Sequence, residues 1–250
     1  GSEAGRCGML DALFTPWPEH AHEIERMLAL SDHLGAPRQG LQLEFPVTDA
    51  DRIELASVFP EAYGGRPFVC VHAGAQLPSR RWSPARFAQA ADWLADQGYT
   101  VVLTGTPGER ALADQLQHAM RRSPVNLVGA TTLWTLGALV ERASLVLCND
   151  TGISHVAAAL QTPSVVISSG ADVARWAPLD ADLHRVVWRD IACRPCGFPT
   201  CPYDHACAEA VTVERVIAEL ESLLYEEPAA QRIEVIDLPV VEEQVLGVAL

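Results

Sequence analysis

A short apolar run that passes directly into a polar turn and then a helix constrains this chain more than any other feature. Leu145 to Cys148 is uninterrupted apolar sequence, as in a strand buried on both faces. Asn149 to Gly152 follows as a polar turn, and the small residues from Val156 to Leu160 indicate a tightly packed helix. In an open α/β sheet, ligands bind beyond the carboxyl ends of the strands, and a helix N-terminus there suits phosphate. The turn therefore predicts the floor of a site for a phosphate-bearing ligand.

The same order of strand and helix recurs along the chain. Strands are predicted at Pro67–Val71, Tyr99–Leu103, Asn126–Val128, Leu145–Cys148, Pro163–Ile167 and Val186–Trp188. Helices are predicted from Ser83 to Gly98, Thr106 to Arg121, Leu133 to Arg142 (with Thr132 at its start) and Thr212 to Leu224. Strands that alternate with helices imply right-handed crossovers. The sequence thus predicts an α/β fold with a doubly wound, Rossmann-like parallel sheet.

The pattern is weaker on either side of this core. We interpret residues 1–20 as a tag scar and a connector, and residues 226–250 as a tail without a clear element. A helix is predicted from His22 to Leu34, followed by a short strand at Leu41–Val47. Thr48 is then expected to cap a helix from Asp49 to Phe59.

Composition limits the classes of partner. The 250 residues carry a formal net charge of −14, which repels nucleic-acid backbones and predicts no nucleic-acid partner. The sequence has no run of about 18 apolar residues, so no membrane span is expected. The N-terminal residues lack a basic segment followed by an apolar one, which argues against a secretory signal. Together with the odd total of 7 Cys, this favours a reducing compartment, and we expect a cytoplasmic location.

A basic cluster follows the first core strand. Arg80 and Arg81 lie just before the next helix, and Arg86 follows one helical turn on. Guanidinium groups match the geometry of phosphate oxygens, so one of these residues is a candidate phosphate clamp. The alternative is a solvated surface pair, and position alone does not separate the two interpretations.

The turn after the fourth strand supplies a second set of candidates. Gly152 permits close backbone approach, Thr151 offers a hydroxyl and an N–H, and Asp150 is able to accept from sugar hydroxyls. His155 lies one helical turn further on. The alternative is a helix capped by Asp150 with a packed core His. Capping and ligand binding are compatible, so we favour binding.

Other phosphate-binding signatures are weak or absent. Glu109 completes a capping box with Thr106, and this structural role is sufficient to account for a Glu at that position. A contact between Glu109 and a ribose hydroxyl is the secondary interpretation. No G-x-G-x-x-G follows the first core strand, and the chain has neither a P-loop nor a G-x-S-x-G nucleophile elbow.

Four Cys cluster in a Pro-rich lobe at residues 190–210. A C-x2-C pair followed by two more Cys suits zinc or an iron–sulfur cluster, although the spacing differs from a standard paired zinc knuckle. The alternatives are inward-facing thiols or local disulfides. The residues are Cys193, Cys196, Cys201 and Cys207, with His205 nearby.

Four segments occur in a distinctive order: HAGAQLPSRRWSPARFA (72–88), TGTPGER (104–110), NDTGISHVAAAL (149–160) and CRPC…CPYDHAC (193–207). As a set they resemble glycosyltransferase family 9, the lipopolysaccharide heptosyltransferases, over roughly residues 66–222. The resemblance implies the C-terminal, donor-binding half of a GT-B fold. Residues 21–225 would form the nucleotide-sugar-binding domain.

The resemblance also implies roles for individual residues. Arg80, two residues before Trp82, takes the place of a phosphate-neutralising Lys in many members. Gly74 and Ala75 fall where some members present hydroxyls to phosphate, so their backbone N–H groups would have to serve. Glu109 falls where the family holds the nucleoside. The residues that would surround the diphosphate and the sugar are Asp150, Thr151, Gly152 and His155.

The implied full enzyme is an inverting transferase that moves a sugar, expected to be heptose from ADP-heptose, to a lipopolysaccharide or other glycan acceptor. The catalytic base is expected in an N-terminal domain that this chain lacks, so no catalytic residue is predicted here. The chain alone is expected to bind the donor without transferring sugar. No cofactor or metal is expected, and inner-membrane association is expected only through the absent domain.

Three other interpretations stay open at this point. The first is a GT-B nucleotide-sugar epimerase or hydrolase, which would share the sheet and the phosphate turn. The second is a non-catalytic binding module built around a metal in the Cys cluster. The third is a Rossmann oxidoreductase, which the absent glycine fingerprint disfavours.

Overall fold

A computed structural model of the chain describes residues 17–225. Its strands are β1 (Phe68–His72), β2 (Thr100–Leu103), β3 (Val125–Asn126), β4 (Leu145–Asn149), β5 (Ser164–Ile167) and β6 (His184–Val187). They form one parallel sheet in the order β3-β2-β1-β4-β5-β6. The predicted doubly wound α/β fold is confirmed.

The order of the strands reverses beside β1. From β1 the chain runs outward through β2 and β3, and it then returns to pair β4 with the other side of β1. Val71 is thereby flanked by Leu103 on one side and Leu147 on the other. Such a reversal opens a crevice at the carboxyl ends of the two central strands, where open α/β sheets bind their ligands.

The described helices are α1 (Glu23–His33), α2 (Asp49–Val58), α3 (Pro84–Asp96), α4 (Arg110–Ala119), α5 (Leu133–Arg142), α6 (Gly152–Ala159), α7 (Val173–Trp176), α8 (Ala206–Glu209) and α9 (Val213–Tyr225). Thr48 begins α2 as predicted, because its backbone N–H donates to the Asp51 carboxylate at 2.8 Å and its hydroxyl accepts from the Asp51 N–H. Thr132 accepts from the Thr135 N–H at the start of α5 in the same way. None of the helices within residues 17–225 is long and apolar enough to cross a bilayer.

Helices cover both faces of the sheet and bury two apolar layers. Val69 and Val71 of β1 pack into the layer formed with α3, α4 and α9. Phe68 and Cys70 alternate with them and face the layer formed with α2, α5 and α6. A fully buried aliphatic or aromatic side chain contributes roughly 1.5–3 kcal/mol. Packing on both faces therefore holds the ends of β1 and β4 firmly in place.

The predicted strand at Leu41–Val47 is wrong. Within the described residues 17–225, residues 41–47 pair with no strand, and they run as an irregular segment over α5. The Phe45 ring lies 5.3 Å from the ring of Trp134. It also covers Gly137, where a Cβ would lie 2.3 Å from a ring carbon of Phe45. The alternating apolar residues thus pack on a helix and do not form a sheet ladder.

Smaller differences concern element ends. The α6 helix begins at Gly152, ahead of the predicted run of small residues, and β3 ends at Asn126. Ser83 precedes α3 as predicted, but its side chain makes no capping hydrogen bond. The tail from residue 226 and the first 16 residues of the predicted connector lie outside the described residues.

Candidate functional site

The crevice at the reversal is bordered by the loops that follow β1, β4 and β5. Asn149, the last residue of β4, holds two of them together. Its side chain is 0% exposed, its amide nitrogen donates to the Ala73 carbonyl at 2.8 Å, and its amide oxygen accepts from the Trp82 backbone N–H at 2.9 Å. Trp82 is also fully buried, and its indole N–H donates to the Val211 carbonyl at 3.0 Å. One side chain thus fixes the loop after β1 and the segment before α3 to the turn after β4.

Arg80 lies two residues before Trp82, in a single 3-10 turn at Pro78–Arg80. One terminal nitrogen of its guanidinium donates to the Cys196 carbonyl at 3.3 Å. Its Nε is buried and has no hydrogen-bond partner within residues 17–225. The guanidinium is close enough to Asp150 to oppose the rise in that carboxyl's pKa. Arg80 therefore has a buried N–H without a partner in residues 17–225, and its guanidinium lies close to Asp150 in the turn after β4, called the acidic turn below.

The rest of the predicted basic cluster is used by the fold. Arg81 donates twice to the Ala75 carbonyl, at 3.0 and 2.8 Å, so Ala75 is occupied in shaping its own loop. Arg86 donates to carbonyls within residues 208–211 and ties α3 to the segment before α9. Of the three arginines, only Arg80 lies at the acidic turn. Arg81 and Arg86 hold neighbouring segments of the fold by hydrogen bonds to backbone carbonyls.

Asp150 begins the turn after β4. Burial raises the pKa of its carboxyl, and the rise is opposed by His155, by a hydrogen bond from Ser168, and by Arg80 and Arg194. The Ser168 hydroxyl donates to the carboxylate at 3.3 Å. Two guanidinium groups therefore act on this one carboxylate, and Arg194 also interacts electrostatically with Asp172 and Asp190. Positive groups beside this turn suit an anionic ligand.

Thr151 and Gly152 lead from this turn into α6. Thr151 is the N-cap residue, which contradicts the alternative of Asp150 as the cap, and its side chain makes no capping hydrogen bond. Its carbonyl accepts from the Ser154 N–H and hydroxyl. A Cβ at Gly152 would meet no atom of residues 17–225 within 4 Å, so this residue borders open space in the described part of the chain. The first N–H groups of α6 lack carbonyl partners within the helix, as at any helix start.

His155 lies one turn into α6, with its ring centroid 6.2 Å from that of Trp176. Burial lowers the pKa of His155, Asp150 opposes the decrease, and His22 adds to it. A pKa below the ordinary value keeps the imidazole neutral at pH 7, so the ring both donates and accepts hydrogen bonds. His155 also borders a groove of about 1190 Å³ between α1 and α6.

Glu109 lies across β1 from the acidic turn. Its carboxylate accepts from the Thr106 N–H at 2.7 Å and from the Thr106 hydroxyl at 2.9 Å, as predicted for a helix-start contact. It also covers Gly74, where a Cβ would lie only 1.8 Å from Glu109 Oε1. Glycine thus allows the carboxylate to approach the loop after β1.

Sequence reasoning missed three residues of this region: His72, Asn149 and Arg194. His72 is buried, its Nδ1 lies 3.1 Å from the Thr104 hydroxyl, and its Nε2 lies 4.0 Å from Glu109 Oε2. Burial lowers the pKa of His72, and Glu109 opposes the decrease. A polar residue that ends an apolar strand was the available signal for His72 and Asn149. Arg194 lies in an irregular lobe and had no comparable signal.

The Cys-rich lobe attaches to the site through its backbone. The Ser79 N–H donates to the Pro199 carbonyl at 3.2 Å, and the Cys196 N–H donates to the Gly170 carbonyl at 2.7 Å. Its four Cys are free thiols, so the alternative of local disulfides is wrong. Within residues 17–225, no group of three or more His, Cys, Asp or Glu side chains is arranged to hold a metal ion. The metal alternative therefore has no geometric support there.

Comparison with known proteins gives a consistent result. The model of the family described as glycosyltransferase family 9 (heptosyltransferase) matches residues 9–207. The chain is 29% identical over 225 residues to lipopolysaccharide heptosyltransferase 2 of Salmonella typhimurium, covering 82% of this chain and 62% of that protein. It is also 29% identical over 227 residues to lipopolysaccharide heptosyltransferase 2 of Escherichia coli, with the same coverage of both proteins.

Solved structures show the same fold. A glycosyltransferase family 9 protein from Veillonella parvula superposes with a TM-score of 0.71 at 20% identity, covering 83% of this chain and 61% of that one. The E. coli ADP-heptose lps heptosyltransferase II superposes with a TM-score of 0.69 at 26% identity, covering 84% and 64%. The chain thus spans less than two thirds of the length of these relatives.

Proposed function

Because this chain belongs to glycosyltransferase family 9, we propose that its crevice binds the nucleotide-sugar donor of a heptosyltransferase. The observation that carries the proposal is the meeting of Arg80, Asp150 and the start of α6 at the reversal of strand order. Arg80 carries a buried N–H that has no partner within residues 17–225, and Gly152 borders open space at the helix start. Guanidinium groups and helix N-termini are both suited to phosphate.

The proposed donor lies across the end of β1. Its diphosphate contacts Arg80 and the first N–H groups of α6, with the Gly74 and Ala75 backbone alongside. The nucleoside extends toward Glu109, across β1 from Asp150. The sugar extends toward Asp150 and His155, which offer a carboxylate and a neutral imidazole to its hydroxyl groups.

We propose ADP-heptose as the donor and a lipopolysaccharide or related glycan as the acceptor of the whole protein. This is supported by the name of the 26% identical E. coli enzyme, an ADP-heptose lps heptosyltransferase. As the bond between the anomeric carbon and the phosphate oxygen breaks, negative charge develops on the leaving ADP. Arg80 and the α6 N–H groups stabilise that charge.

Residues 21–225 form the proposed donor-binding domain, with the Cys-rich lobe at 190–210 as part of it. The base that takes the acceptor's proton would come from outside this domain. We therefore expect this chain to bind ADP-heptose without transferring heptose. In the cell we expect the protein to act in the cytoplasm, the reducing compartment that its 7 Cys favour.

Calorimetric titration of this chain with ADP, UDP and GDP tests the proposal. We expect ADP to bind, and Arg80→Met to weaken it by about 1.5–3 kcal/mol, the usual contribution of a hydrogen bond to a charged group. Arg66→Met is the matched control, because Arg66 is exposed and lies just before β1, at the opposite end of that strand from the crevice. Tighter binding of UDP or GDP would change the donor. No nucleotide binding, or equal ADP binding by Arg80→Met, would refute the proposed site.

A further inference from the structure

Arg194 connects the Cys-rich lobe to the loop after β5. Its guanidinium donates to the carbonyls of Ser168, Ser169 and Ala171 at 2.6, 2.7 and 2.7 Å. It also lies 5.1 Å from the centre of the Trp188 ring. A planar group that gathers three carbonyls of one loop sets the path of that loop, which a Lys ammonium is not shaped to do.

The same side chain reaches Asp150 through one hydroxyl. Arg194 donates to the Ser168 Oγ at 3.2 Å, and that hydroxyl donates in turn to the Asp150 carboxylate at 3.3 Å. The Ser168 hydroxyl thus accepts a hydrogen bond from Arg194 and donates one to Asp150, so it links the cation to the anion. The neighbouring Ser169 hydroxyl is buried, with the residue 1% exposed, and has no partner within residues 17–225.

Arg80 also contacts the Cys-rich lobe. It donates to the Cys196 carbonyl at 3.3 Å, while the Cys196 N–H donates to the Gly170 carbonyl at 2.7 Å. A Cβ at Gly170 would lie 3.1 Å from the Cys196 Cβ and 3.9 Å from the Arg80 Cγ. The lobe, the loop after β5 and Arg80 are therefore packed as one unit.

We propose that Arg194 is a positioning residue of the donor site: it fixes the loop after β5, orients the Asp150 carboxylate through Ser168, and supplies a second positive charge beside the diphosphate. The inference rests on the proposed donor-binding function. It assigns the Cys-rich lobe a role that needs no metal. The lobe carries the Arg194 guanidinium, which holds the loop after β5 and, through Ser168, the Asp150 carboxylate.

Titrations of this chain with ADP and with AMP, on Arg194→Met, Ser168→Ala and Arg189→Met, test the inference. Arg189 is exposed, lies five positions before Arg194 and serves as the matched control. We expect the affinity for ADP to fall about tenfold in Arg194→Met, the scale of one lost hydrogen bond to a charged group. Ser168→Ala should weaken ADP binding by a smaller factor, and Arg189→Met should leave it unchanged. AMP lacks the second phosphate, so its affinity should change much less than that of ADP.

The selectivity between the two nucleotides separates positioning from general destabilisation. Equal losses of ADP and AMP affinity in Arg194→Met would overturn the inference. It would also be overturned if Arg194→Met bound ADP with an affinity within twofold of that of the unmodified chain. If Arg194→Met fails to fold, Ser168→Ala decides, since it removes one hydroxyl only; unchanged ADP binding in that variant would also overturn the inference. If the unmodified chain binds ADP and the variants do not differ from it, the inference fails while the proposed function stands. If the unmodified chain does not bind ADP, both fail.

Discussion

Replacement of Asn149 by Ala should destabilise the protein more than its small change in size suggests. The side chain is 0% exposed and makes two short hydrogen bonds, to the Ala73 carbonyl at 2.8 Å and from the Trp82 N–H at 2.9 Å. Ala leaves both backbone groups buried and unpaired, and each such group costs about 1–3 kcal/mol. The expected loss is therefore about 2–6 kcal/mol, a large part of the roughly 5–15 kcal/mol that stabilises a typical domain.

Urea unfolding measures this loss, with Asn126→Ala as the matched control. Asn126 is only half-buried, on the edge strand β3, and its side chain bonds to the Gln117 side chain and the Val128 N–H. We expect that control to lose about 1 kcal/mol, because water replaces its partners more easily. Equal losses for the two variants would refute the view that Asn149 holds the loops of the crevice together.

Two further predictions concern individual groups of the crevice. Burial raises the pKa of Asp150 above its unfolded value of about 3.9, so its ionisation lowers stability as the pH rises through the folded-state pKa. Asp150→Asn should therefore raise Tm at pH 7 and match the unmodified chain near pH 4 in thermal scans; a lower Tm at pH 7 would contradict the sign. Gly74→Ala should displace the Glu109 carboxylate, 1.8 Å from the new Cβ, and cost about 0.5–2 kcal/mol of stability, because the displaced carboxylate loses its helix-start hydrogen bonds from Thr106. It should weaken ADP binding as Glu109→Gln does in calorimetry, and unchanged binding in both variants would exclude a nucleoside contact at Glu109.

The sheet was predictable because its strands are apolar runs buried on both faces. The crevice followed from that prediction, since the polar turn after β4 meets the loop after β1 wherever the strand order reverses. The segment at residues 41–47 misled because alternating apolar residues fit a helix surface as well as a sheet. In the protein, Phe45 packs against Trp134 and Gly137 on the surface of α5.

Side-chain roles within the site were less predictable for a different reason. Arg80 and Arg81 are adjacent in sequence, yet one lies at the acidic turn and the other binds the Ala75 carbonyl. Consecutive residues leave the backbone in different directions, so a run of basic letters does not say which one faces a ligand. The contact between Arg194 and Ser168 joins positions 26 residues apart, and no local pattern encodes it.

A crystal structure of this chain with ADP would show directly whether the crevice holds the nucleotide. We expect phosphate oxygens within hydrogen-bond distance, about 2.7–3.2 Å, of the Arg80 guanidinium and of backbone N–H groups in the first turn of α6. We also expect the ribose on the Glu109 side of β1. ADP bound in the groove between α1 and α6, with Arg80 making no contact to it, would show that the crevice is not the donor site.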